Sequence, residues 1–190
     1  MRDMQMGWNR RQFVTATAGL AAGVWGVNSY AQEATGPIVL GQSCALTGAS
    51  AQLGTQFSQG AKLYFDQLNS QGGIGRRLIE LRTLDDGYEP ERCVANTQKF
   101  LADNVMALFG YLGTPTSMAA LPLLQKAKVP LIAPLTGSAV LRDPKLAQTV
   151  FNLRASYADE TALMVKQLVS LGLKKIAVFY QNDAYGQSGL

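Results

Sequence analysis

Apolar residues recur along this chain in two alternating rhythms. Short runs at residues 37–43 (PIVLGQS), 78–84 (LIELRTL), 106–109 (MALF), 129–133 (VPLIA), 150–153 (VFNL) and 175–180 (KIAVFY) have the length and composition of strands. Between them lie stretches with helical spacing. Residues 56–70 carry Phe57, Ala61, Tyr64, Phe65 and Leu68 on one face, and residues 91–103 turn Val94, Phe100 and Leu101 inward behind Pro90. Residues 117–127 form a third helical stretch, and residues 161–171 a fourth with Leu163, Met164, Leu168 and Leu171 on one side. Residues 45–54 read as a loop. Strands separated by helices of this length predict βαβ units with right-handed crossovers, hence an α/β fold with a doubly wound parallel sheet.

The most informative stretch is residues 106–138. Two apolar runs there each end in a small, hydroxyl-bearing turn, Gly113-Thr114-Pro115-Thr116-Ser117 and Leu135-Thr136-Gly137-Ser138. In a parallel sheet the carboxyl ends of neighbouring strands share one edge, and ligands bind at that edge. Helix N-termini supply unpaired N–H groups there, and Thr or Ser hydroxyls add donors. Thr114 and Thr136 are therefore candidates to hold a small polar or anionic group. Both also suit plain N-capping, and the two roles are compatible.

The ends of the chain add compartment and extent. Arg2, Arg10 and Arg11 precede an uncharged run at 13–27 and the small-x-small triplet Ser29-Tyr30-Ala31, the layout of a cleavable secretory signal over residues 1–31. Asn9-Arg10-Arg11-Gln12-Phe13 fits a twin-arginine export motif. That leader holds three of the 17 basic residues and one of the 13 acidic ones, so the mature part keeps 14 against 12, a net +2. No basic stripe with interleaved aromatics remains, so no nucleic-acid partner is expected. At the other end, residues 182–186 open a further helix just before Leu190. That leaves the last strand uncovered and suggests a larger second half.

Catalytic chemistry finds little support. The chain has no histidine, no P-loop and no Gly-x-Ser-x-Gly elbow, so no enzyme, no cofactor and no metal site is expected. Asp85-Asp86 reads as a solvated strand end rather than a metal pair or acid–base dyad. Gly72-Gly73-Ile74-Gly75 follows a helix and precedes a strand, the wrong order for a dinucleotide loop, and reads as a helix stop. Cys44 at a strand end and Cys93 in the first turn of a helix suit a disulfide or two buried thiols equally.

One series of residues in register carries a family resemblance. It runs through Gln52-Leu53-Gly54, Leu68-Asn69-Ser70-Gln71-Gly72-Gly73-Ile74, Leu84-Asp85-Asp86, the turn at 110–116, Val129-Pro130-Leu131-Ile132-Ala133-Pro134 and Gln181-Asn182-Asp183-Ala184-Tyr185-Gly186. Over residues 36–190 the chain resembles the periplasmic type I solute-binding proteins of the leucine/isoleucine/valine-binding class, which feed ABC transporters. The resemblance implies a first lobe over residues 32–155, a crossover and the first βα unit of a second lobe at 156–190, and closure of the two lobes around a solute. It also implies site positions. Thr114 matches the hydroxyl that binds the ligand carboxylate; Thr136, Gly137 and Ser138 fall where backbone and hydroxyl donors bind. Leu53 stands where an aromatic often covers the ligand, and Tyr157 matches an aromatic wall that amide-binding relatives use.

The function expected is an exported, periplasmic component of an ABC importer, monomeric, that binds a small carboxylate-bearing molecule such as a branched-chain amino acid, an amide or an aromatic acid. Its partners would be the solute and the membrane permease subunits. A ligand-sensing domain of a receptor would use the same fold, as would a DNA-binding repressor, in which a helix-turn-helix would replace the signal.

Overall fold

The computed structural model describes residues 36–190; the export signal assigned to residues 1–31 lies outside them. Five strands form one parallel sheet in the order β2-β1-β3-β4-β5: β1 Ile38–Cys44, β2 Ile79–Asp85, β3 Ala107–Phe109, β4 Leu131–Ile132 and β5 Val150–Phe151. β1 pairs with β2 along its whole length, from Ile38 against Ile79 to Cys44 against Asp85. On its other side it meets β3, with Leu40 opposite Ala107. The chain thus steps outward from β1 in opposite directions, and the crevice between the carboxyl ends of β1 and β3 is the switch point of the sheet.

The helices are α1 Ala51–Ser70, α2 Pro90–Ala102, α3 Thr114–Ala127, α4 Tyr157–Ser170 and α5 Ala184–Gly189. α2 and α3 cover one face. Cys93, Phe100, Leu121 and Leu124 pack there with Leu108, Leu131 and Val150 from the strands. α1 covers the other face, setting Phe65 and Leu68 against Leu40, Ile79 and Ala107. That cover is incomplete, since Phe109 and Ile132 are half-buried and Phe151 is exposed.

Three expectations need correction. α1 begins at Ala51, so the end of the expected loop at 45–54 is its first turn; Gly54 N–H already donates to Ser50 O. Residues 175–180 form no strand, because a strand exists only through a neighbour's ladder. Among the described residues nothing pairs with this segment, and the Phe179 side chain is fully exposed. α4 has its expected apolar stripe, but Leu163, Met164 and Leu171 face outward at 68%, 61% and 67% exposure. No helix among the described residues is long and apolar enough to cross a membrane.

Both cysteines are free and buried. Ser43 bonds Asn96 on α2 while the next residue, Cys44, points its Sγ at Gly54 O on α1. Alternation along a strand therefore puts Cys44 on the face of the sheet opposite to Cys93 on α2, which keeps the thiols apart. Burial pushes both up to about 12, so they stay protonated.

Candidate functional site

The turns after β3 and β4 lie side by side at the carboxyl edge. Leu112 bridges Leu135 in parallel, and Leu135 N–H donates to Tyr111 O at 2.7 Å. Gly113, at φ 102°, caps α3, and a Cβ there would meet Cε2 of Tyr88 at 2.5 Å. Only glycine allows both that backbone and that ring. The hydroxyls of Thr114 and Thr136 share a hydrogen bond of 2.6 Å, and Ser138 N–H donates to Thr136 Oγ1 at 3.2 Å. Both threonines are wholly buried, so their hydroxyls bind one turn to the other.

Tyr157 is the first residue of α4. Its N–H donates to Gly137 O at 2.9 Å, and a Cβ on Gly137 would come within 2.6 Å of its ring. The guanidinium carbon of Arg154 lies 5.0 Å from the centre of that ring, and Tyr185 meets the ring edge-on at 5.5 Å. From the other side Tyr88, itself at φ 70°, donates its hydroxyl to Asp183 at 3.5 Å. Burial and the neighbouring Asp183 carboxylate hold the Tyr88 phenol well above its usual range, so it remains a donor.

These residues enclose a cavity of about 250 Å³, near the small end for ligand sites. Tyr88, Tyr157 and Tyr185 supply aromatic walls, Leu53, Leu112 and Leu135 apolar ones, and Ser50, Arg154 and Gln181 polar atoms. Of the residues expected from sequence, Leu53 and Tyr157 line the cavity. Thr114, Thr136, Gly137 and Ser138 are buried and not among its lining residues. Tyr88, Arg154, Gln181 and Tyr185 were missed as individual positions, although Gln181 and Tyr185 belong to the segment 181–186 already singled out.

Asp85 and Asp86 divide their work. Asp86 is fully buried, not solvated as expected; it accepts from Ser43 Oγ at 2.7 Å and from Tyr88 N–H at 2.8 Å. Burial raises its pKa, those two bonds oppose the rise, and the Asp85 charge adds to it. Asp85 accepts from Leu46, Thr47 and Gly87 N–H, from Thr47 Oγ1 and from Arg92. Burial alone would raise its pKa, but these bonds together outweigh it and hold the carboxyl far below the usual range. Asp86 thus places the Tyr88 backbone, and Asp85 ties down the loop after β1. No cluster of three His, Cys, Asp or Glu able to hold a metal occurs among the described residues.

Residues 37–190 match the family model for the periplasmic binding protein. The chain belongs to the periplasmic binding protein family. It is 27% identical over 170 residues to an amino acid binding protein of Pseudomonas aeruginosa, covering 88% of this chain and 45% of that one. Among solved structures it is similar to a possible leucine/isoleucine/valine-binding protein from Rhodopirellula baltica, with 39% identity and a TM-score of 0.76 over 80% of this chain and 41% of that one. A fatty acid ABC transporter substrate-binding protein from Thermomonospora curvata aligns at 29% identity and a TM-score of 0.72, over 80% and 39% of the two chains. The chain spans under half the length of these relatives. All three are named as binding proteins.

Proposed function

We propose that the chain belongs to an exported solute-binding component of an ABC importer, which takes a small carboxylate-bearing molecule into a cleft between two lobes. The cavity at the switch point carries this reading, since its walls come both from the sheet's carboxyl edge and from residues 154–185. Residues 32–155 would form the first lobe and 156–190 the beginning of the second. A solute touching Tyr88 and Leu53 on one side and Tyr157 and Tyr185 on the other favours whichever arrangement brings both sides to it, which is closure by population shift. Membrane permease subunits would then recognise the closed form in the periplasm, after export by a twin-arginine leader. The relatives named above support the reading through the amino acids, branched-chain amino acids and fatty acids in their names.

A thermal-shift screen of the intact exported protein against amino acids, amides and aromatic acids tests it. A true solute at a hundredfold over its Kd adds about 2.7 kcal/mol of stability. Tyr157→Ala should abolish the shift. If a well-folded protein responds to no solute, transport gives way to a role in binding a partner.

A further inference from the structure

Among the described residues, Arg154 is the only ionised side chain that lines the cavity. It is held from three directions. Its Nη2 donates to both oxygens of Glu160, at 2.5 and 2.7 Å, its guanidinium lies over the Tyr157 ring, and its carbonyl accepts from Arg142. Among the described residues nothing accepts from Nε or Nη1, which leaves positioned donors on a guanidinium that is one third exposed. Among the described residues no carboxylate lines this cavity, and Glu160, the ion-pair partner of Arg154, stands outside the lining. Glu160 borders the adjoining cavity of about 390 Å³, and Asp183 is taken up by Tyr88, Gln181 and the first turn of α5. The buried Thr114 and Thr136 hydroxyls are satisfied by each other.

We infer that Arg154 is the specificity-determining residue of this site: it takes the ligand's carboxylate, while Tyr88, Tyr157, Leu53 and Leu135 enclose an apolar aryl or alkyl body. The inference rests on the solute-binding reading and deepens it. A guanidinium fixed by an ion pair and an aromatic face loses little freedom when it binds an anion. An apolar monocarboxylate needs nothing else that the lining lacks.

Titration of the intact protein with matched pairs, benzoate with benzamide and isovalerate with isovaleramide, tests this. The acids should bind more tightly than their amides. Arg154→Gln should weaken acid binding by about tenfold to a hundredfold, the usual worth of a charged hydrogen bond, and weaken amide binding far less, so that the acid preference collapses. Arg154→Lys should retain part of the preference. Glu160→Gln controls for fold, because it breaks the same ion pair but keeps the guanidinium, and the acid preference should survive it. Acids bound equally well by wild type and Arg154→Gln would overturn the inference and leave the solute-binding reading standing. A wild-type protein that binds none of the four would overturn the inference alone, since the solute-binding reading is decided by the wider thermal-shift screen.

Discussion

Asp85 is the residue on which the loop after β1 depends most. Its two oxygens collect three backbone N–H groups, a hydroxyl and a guanidinium. Its folded pKa is depressed, so the unfolded chain binds a proton more readily. The stability it contributes is therefore complete above about pH 4, its unfolded range, and drains away as the pH falls below that. Asp86 has the opposite sign. Its raised pKa favours the folded state at low pH, and that contribution is lost as the pH rises through the folded value. Asp85→Asn should lower stability by about 2 kcal/mol at pH 7 and flatten the loss between pH 5 and pH 2 in urea titrations. An acid limb as steep as wild type would mean that other carboxylates control it.

Among the elements, β1, β2, α2 and α3 were legible because their signals are local. Alternation, Pro90 and the Gly113 turn each act within a few residues. The segment 175–180 was not, since KIAVFY has a strand's composition but strand formation depends on a neighbour far along the chain. Its amides should exchange with solvent far faster than those of β1, which are laddered on both sides. Hydrogen exchange on the 190-residue chain reads this directly, and slow exchange at Val178 and Phe179 would reveal pairing. The site divides in the same way. Composition marked the hydroxyl turns, and family likeness marked Leu53 and Tyr157. The mutual bond of Thr114 and Thr136 and the arrival of Tyr88 and Arg154 at one cavity are products of long-range packing.

At the scale of the whole molecule, two surfaces differ sharply. The α2–α3 side is a closed core, whereas α4, residues 176–179 and Phe151 present apolar side chains to water. Exposed apolar side chains of α4 and residues 176 and 178 lie around one shared depression, the kind of surface that engages partners. The 190-residue chain should therefore bind the dye ANS, and replacing Leu163 and Val178 with lysine should reduce that signal without lowering the melting temperature. An unchanged signal would place the dye elsewhere. One attachment on this side is firm, the bond from Tyr157 N–H to Gly137 O at the very start of α4. A helix of 14 residues anchored at its first residue is a lever about 21 Å long. A swing of 10° about that pivot barely moves the Tyr157 ring, yet carries Ser170 by about 3 Å. Small adjustments of the cavity wall to its contents would thus be magnified several-fold on the far surface of the molecule.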